Sequence, residues 1–184
     1  MDYLERDIDI EHSKVAIIGH SRCGKTALWA GATDPRFALV IANSSGCMGA
    51  AYTRGKKGEH IKDINISDWF CDNYHLYNDR EEMLPLDQHM LLSLIAPRPL
   101  YIKSDVLDEW ADPDAELLSA KLASPVYELY GKKGVVITDE VVLDKKYHEG
   151  TIAYHRTHHR THHDHDLTRF DWQCYMDFAE LYLK

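Results

Sequence analysis

Gly19-His20-Ser21-Arg22-Cys23-Gly24-Lys25-Thr26 is the stretch of this chain whose residue types and spacing can do chemistry. Two chemistries fit it. Gly19, four residues, then Gly24-Lys25-Thr26 satisfies the phosphate-loop pattern G-x-x-x-x-G-K-[ST]. Backbone N–H groups would then cradle phosphates, Lys25 would reach the terminal oxygens and Thr26 would hold Mg²⁺. That chemistry also needs an acid at the end of another apolar strand. Asp105, after Leu100-Tyr101-Ile102, is the best placed candidate, and no Asn-Lys-x-Asp guanine reader occurs.

The second chemistry is nucleophilic. A serine at a sharp strand-to-helix turn has its hydroxyl lifted out of the sheet and turned toward a base. The pattern here is Gly-x-Ser-Arg-x-Gly-Lys, with the second glycine three residues after Ser21 rather than two. A serine hydrolase of this kind takes its acid and its histidine from later sequence, in the order Ser, acid, His. A plain strand–helix connector with no chemistry is the third reading.

The elements that position this turn follow from hydropathy. Val15-Ala16-Ile17-Ile18 reads as a buried strand and 22–33 as a helix. Phe37 to Asn43 reads as a second strand, 86–95 as a helix, Leu100 to Lys103 as a third strand, Pro113 to about Leu122 as a helix and 169–183 as a final amphipathic helix. Residues 1–8 read as the end of a helix, 67–79 as a short aromatic helix whose Trp69, Phe70, Tyr74 and Tyr77 pack, and 131–149 as a polar excursion. Strands alternating with helices predict an α/β fold with a mostly parallel sheet. The small-residue loop Ser44 to Ala51 falls at a strand's C-terminal edge, where such sheets place ligands.

Composition bounds the rest. At 184 residues with 45% apolar content the chain is one domain, 1–184, or part of one. A net charge of −9 argues against a nucleic-acid partner. No run of eighteen apolar residues predicts a membrane span, and the polar start Met1-Asp2-Tyr3-Leu4-Glu5-Arg6 does not read as a signal peptide. Compartment and oligomeric state stay open. Cys23, Cys47, Cys71 and Cys174 lack metal or disulfide-framework spacing and read as free thiols in or near the core.

The segment 154–168 holds six of the twelve histidines and a tandem tetrad, Arg-Thr-His-His at 156–159 and again at 160–163. A short duplication in a loop explains it. Clustered histidines also suit Zn²⁺ or Ni²⁺, but this repeat lacks a helical i, i+4 pair in a fixed scaffold.

Six motifs in order carry a resemblance. They are Gly19-His20-Ser21-Arg22-x-Gly24-Lys25, Ser45-Gly46-x-x-Gly49-Ala50-Ala51, Asp87-Gln88-His89, Ile95-Ala96-Pro97-Arg98-Pro99, Asp108-x-Trp110-Ala111-Asp112-Pro113 and His165-Asp166-Leu167-Thr168-x-x-Asp171-Trp172. Together they resemble the glucuronoyl esterases of carbohydrate esterase family 15, α/β hydrolases that act on 4-O-methyl-glucuronoyl esters thought to join glucuronoxylan to lignin. Relatives are often labelled acetylxylan esterase. The resemblance runs along nearly the whole chain but covers the C-terminal half of the family's catalytic domain, so the expected α/β-hydrolase fold is N-terminally incomplete.

The resemblance implies roles. Ser21 matches the nucleophile, His165 the general base and Arg22 the oxyanion-stabilising arginine. Lys25, Glu59 and Trp110 match sugar-binding positions. Many members carry a Glu as triad acid where this chain has Ser44, and Asp108 matches an acid position some members use. Deleting one Arg-Thr-His-His restores a spacing before His165 close to the family's. The implied reaction is hydrolysis of a polysaccharide uronate ester by a serine esterase needing no metal or cofactor. A different carbohydrate ester, an inactive partial enzyme or a carbohydrate-binding remnant are the alternatives, with nucleotide binding a remote one.

Overall fold

A computed structural model describes residues 1–55, 57–64, 69–158 and 165–184. Its centre is a four-stranded parallel sheet in the order β1 (Ala16–His20), β2 (Leu39–Asn43), β3 (Leu100–Asp105), β4 (Ile152–Thr157). Ala16 lies opposite Leu39, Val40 opposite Leu100 and Leu100 opposite Ile152, which brings all four C-terminal ends to one edge. The helices are α1 (Arg22–Thr33), α2 (Ile61–Ile64), α3 (Gln88–Ser93), α4 (Pro113–Leu129) and α5 (Arg169–Tyr182).

The alternation of side chains along each strand divides the core in two. Val40, Ala42, Leu100, Ile102, Ile152 and Tyr154 face one side, packed against Leu28 of α1, Leu92 of α3 and Leu117, Ala120, Ala123 and Tyr127 of α4. Leu39, Ile41, Tyr101 and Ala153 face the other, covered by Cys174, Tyr175 and Phe178 of α5. Burying one such large apolar side chain contributes about 1.5–3 kcal/mol. β2 is buried along its whole length. Among the described residues β1 pairs on one side only, and Ala16 is exposed with Ile17 and Ile18 half-buried.

Several elements differ from their sequence-based expectations. Residues 1–8 hold only a 3₁₀ turn at Leu4–Arg6, exposed or half-buried throughout, because no apolar surface is there for a longer helix to cover. The aromatic stretch forms a 3₁₀ helix at Asp72–Tyr77, and residues 65–68 lie outside the described residues. Phe70, Tyr74 and Tyr77 do pack, against Cys47, Met48, Ile61, Ile64 and Leu84, whereas Trp69 stays 46% exposed.

The helix expected to end near Leu122 continues to Leu129 and carries Pro125 inside it. Its buried face continues through Ala123 and Tyr127, and the Tyr127 hydroxyl donates to the Arg98 carbonyl at 3.1 Å. Packing of that face overrides the proline's local cost.

β4 was not legible as a strand. The chain from Ile152 to Thr157, including the first Arg-Thr of the repeat, pairs with β3 in parallel, and His158 ends the strand. His159 to Asp164, which include the whole second tetrad, lie outside the described residues. Of the cysteines, Cys47 and Cys174 are buried thiols and Cys23 and Cys71 exposed ones, so only two sit in the core.

Candidate active site

β1 turns into α1 through Ser21, whose φ of 58° and ψ of −129° place an L-residue in a strained region. Such a conformation costs roughly 1–3 kcal/mol and persists only where the surroundings fix it. Here the Ser21 N–H donates to the Asn43 carbonyl at 2.9 Å, and the Gly24 N–H donates to the Ser21 carbonyl at 2.8 Å. Both glycines of the motif are steric requirements. A Cβ on Gly19 would lie 1.9 Å from the Cys23 carbonyl oxygen, and one on Gly24 would lie 2.8 Å from Ser45 Cβ. The later spacing of the second glycine thus still gives a sharp strand-to-helix elbow: Gly24 lets α1 sit close against the loop that follows β2.

The phosphate-loop reading fails on the same residues. Lys25 Nζ donates to the Ser45 and Cys47 carbonyls, both at 2.7 Å, and to Glu59 Oε2 at 2.9 Å. Thr26 Oγ1 bonds back to the Arg22 carbonyl at 3.3 Å. Asp105 is buried, paired with Lys103 at 2.7 Å and bonded by Thr157 Oγ1 at 3.0 Å. None of the three is committed to a phosphate or Mg²⁺ position.

The turn after β3 brings Asp108 beside the segment that opens at His165. Asp108 Oδ2 lies 2.6 Å from His165 Nδ1, and Asp108 Oδ1 accepts the Ala111 N–H at 3.1 Å. Asp108 is buried and His165 partly exposed. The hydrogen bond to Asp108 raises the pKa of His165 against the opposing effect of partial burial. With Nδ1–H donated to the carboxylate, Nε2 carries the lone pair that a general base needs. The imidazole rings of His165 and His20 lie 4.5 Å apart, which places His165 against the residue preceding Ser21. His20 in turn meets Asn43 Oδ1 through Nδ1 at 3.1 Å, and burial lowers its pKa.

Ser44, at the position where the resemblance implies a Glu in many members, is buried at φ 42° and its hydroxyl has no partner among the described residues. The carboxylate that meets His165 is that of Asp108.

Arg22 opens α1, with its guanidinium carbon 5.4 Å from the centre of the Trp69 ring. The first N–H groups of a helix lack carbonyl partners and carry partial positive charge, so the start of α1 puts donors beside Ser21.

Lys25, Glu59 and Trp110 are brought together. Glu59 Oε2 takes the Lys25 ammonium and its Oε1 takes the Trp110 indole N–H at 3.2 Å. The Glu59 N–H also donates to the Trp110 carbonyl at 2.8 Å. Gly58 permits this approach, since a Cβ there would lie 2.2 Å from the Glu109 carbonyl. The Lys25–Glu59 pair is almost enclosed, whereas Trp110 is 56% exposed. Beyond the elbow lies a largely apolar cavity of about 920 Å³ lined by residues that include Arg22, Lys25, Trp29, Met48, Trp69 and Phe70.

Asp112 caps α4, accepting the Ala115 N–H at 3.0 Å. Glu116 is wholly buried and gathers the Ser45 N–H at 2.8 Å, the Gly46 N–H at 3.0 Å, Ser45 Oγ at 3.1 Å and Ser104 Oγ at 2.6 Å. Burial raises its pKa even so. It pins the small-residue loop against which Lys25 rests. A second unforeseen group is His155, fully buried on β4 between Tyr101 and Asp171. Its only signal in the sequence was its place in an apolar run, Ile152-Ala153-Tyr154.

A parallel sheet, a strained serine at a strand–helix elbow and a later acid–histidine pair define a hydrolase of the α/β class. A model of the fungal glucuronyl esterase family matches residues 1–131. A carbohydrate esterase from an unknown prokaryotic organism is 50% identical over 182 residues, 98% of this chain and 41% of the relative. A 4-O-methyl-glucuronoyl methylesterase of Podospora anserina is 34% identical over 119 residues, 60% of this chain and 25% of the relative. Among solved structures, a promiscuous family 15 esterase from a marine bacterial metagenome matches with a TM-score of 0.93 at 49% identity, covering 98% of this chain and 45% of that one. The glucuronoyl esterase of Solibacter usitatus matches with a TM-score of 0.90 at 45% identity, covering 100% of this chain and 46% of that one. The chain belongs to the glucuronoyl esterases of carbohydrate esterase family 15. It spans less than half the length of these relatives.

Proposed function

We propose that this chain carries the catalytic centre of a serine esterase that hydrolyses 4-O-methyl-glucuronoyl esters of plant glucuronoxylan. The observation that carries the reading is the Asp108–His165 pair, 2.6 Å apart, with the His165 ring 4.5 Å from that of His20, the residue before the strained Ser21. His165 Nε2 takes the Ser21 hydroxyl proton as Oγ attacks the ester carbonyl. Arg22 and the first N–H groups of α1 stabilise the tetrahedral oxyanion, and a fixed donor at that point is worth about 3–4 kcal/mol. The alcohol leaves with the proton from His165. Water, activated by the same imidazole, then breaks the acyl bond, returning the proton to Ser21 and releasing the uronic acid.

Asp108 holds the imidazole in the tautomer that accepts at Nε2 and stabilises the imidazolium that forms. Lys25, its three donors held by Ser45, Cys47 and Glu59, fixes the Glu59 carboxylate as an acceptor for sugar hydroxyls, and Trp110 gives an exposed ring face for stacking, a combination suited to a uronate ring. The domain is read as a partial α/β-hydrolase domain spanning 1–184.

A broader carbohydrate-ester range is the second reading, favoured by the 50% identical relative's description simply as a carbohydrate esterase and by the promiscuity of the matching solved structure. A substrate panel separates the two. Release of benzyl alcohol from benzyl glucuronate should exceed release of acetate from acetylated xylan in kcat/KM; equal or reversed rates would favour the broader reading, and a folded chain that turns over neither would be an incomplete enzyme.

A further inference from the structure

β3 carries a lysine into the interior. Lys103 is fully buried, and a buried ammonium is costly unless it is both paired and hydrogen-bonded. Its Nζ donates to Asp105 Oδ2 at 2.7 Å, which supplies the counter-charge. It also donates to the backbone carbonyl of Asp166 at 3.0 Å, the residue next to His165. An apolar side chain of similar length would fill this space at a smaller desolvation cost, so the second contact calls for a reason.

The same segment is tied again two residues further on. The Thr168 N–H and Oγ1 donate to Asp171 Oδ2 at 2.6 and 2.7 Å, and the Asp171 N–H returns a bond to Thr168 Oγ1 at 3.3 Å. The other carboxylate oxygen, Asp171 Oδ1, lies 2.8 Å from His155 Nε2. Both anchors lie on the C-terminal side of His165, one on β3 and one at the start of α5. The Arg-Thr-His-His repeat lies on its N-terminal side.

We infer that Lys103 is a positioning residue for the base: its buried ammonium fixes the Asp166 carbonyl and, with the Thr168–Asp171 cap, sets the His165 ring against Asp108 from the C-terminal side, whatever the length of the segment before it. The inference rests on the reading of His165 as general base.

The charges around the two groups give it a signature. His165 faces Asp108 from the turn after β3, Glu116 from α4, Lys103 from β3 and the His20 ring from β1. Both carboxylates favour the imidazolium and Lys103 opposes it. Lys103 itself is surrounded by Asp105, His155 and Asp171.

An NMR titration of the His165 imidazole in the full chain tests this, the resonance being assigned by its loss in His165→Ala. Lys103→Met should lower the His165 pKa, because a ring released from Asp108 loses the hydrogen bond that raises it, and should lower kcat by roughly tenfold with KM nearly unchanged. Asp105→Asn, which leaves the ammonium without its counter-charge, should lower kcat in the same way at a pH above the His165 titration, and decides alone if Lys103→Met gives no cooperative melt. A rise of the pKa in Lys103→Met, the effect of removing a nearby positive charge alone, or an unchanged kcat in Asp105→Asn overturns the inference. Turnover that survives Ser21→Ala would overturn the esterase reading instead.

Discussion

Asp108 and His165 stand 57 residues apart in the chain and 2.6 Å apart in space. Asp108 leaves the sheet at the C-terminal end of β3, and His165 precedes the helix that covers the opposite face of the sheet. The parallel topology brings both segments to one edge, because it delivers every strand's C-terminal end to the edge where Ser21 stands.

Asp108→Asn should lower kcat by about 10³–10⁴ while leaving the melt near wild type, since the amide preserves shape but favours the wrong imidazole tautomer. Its pH profile is a second readout. His165 must be neutral to act, and Asp108 raises its pKa, so wild-type kcat/KM should climb above the ordinary imidazole range. In Asp108→Asn that acidic limb should move to lower pH. A mild loss with an unmoved limb would place the acid elsewhere.

Trp110 and Lys25 should separate binding from architecture. Trp110 is more than half exposed, so Trp110→Ala should raise KM by roughly tenfold, the scale of one aromatic stacking contact, with little change in melting temperature. Lys25→Met leaves the Ser45 and Cys47 carbonyls and Glu59 Oε2 without their donor. It should destabilise the fold by about 2–4 kcal/mol as well as weaken uronate binding. Equal effects of the two variants on the melt would refute this division.

The elbow should tolerate no side chain at Gly19. A Cβ there meets backbone 1.9 Å away, which no rotamer change relieves. Gly19→Ala should therefore lose soluble, cooperatively folding protein. Gly55→Ala, at a positive-φ turn with nothing within 4 Å, serves as the comparison and should cost only about 1 kcal/mol, read by thermal melting.

Acid should loosen the sheet face under α5 before the carboxylates titrate. His155 Nε2 lies 2.8 Å from Asp171 Oδ1 and its Nδ1 2.9 Å from the Tyr101 hydroxyl, which also meets His148 Nε2 at 2.9 Å. Burial disfavours the imidazolium form of both histidines and lowers both pKa values, that of His148 to about 4. The unfolded chain binds more protons than the native one below 6.5, so stability is full above that pH and is lost as pH falls toward 4. The melting temperature should drop across that window. His148→Gln, which has no proton to gain, should flatten the drop, and an unaltered slope would exclude His148 as its source.

Much of this fold was legible because it rests on strong local signals. α1 falls at 22–33 as the hydropathy and the Asp34-Pro35 stop imply, and α3 is capped where Asp87 precedes it. β4 was hidden because histidine and arginine within a tandem repeat look like loop, while their burial is set by partners from β3 and α5. Glu116 and Lys103 were hidden for a similar reason: a charged residue in a helix or strand reads as solvated until its distant partners are known. The proposed catalytic residues were named through their motif context, and the geometry that joins Asp108 to His165 belongs to tertiary structure alone.

The most direct measurement is the hydrolysis rate of benzyl glucuronate by this chain beside Ser21→Ala, both shown to be folded. The account predicts turnover by the wild-type chain and a loss of about 10⁴-fold or more in the variant. Comparable rates from the two proteins would contradict it.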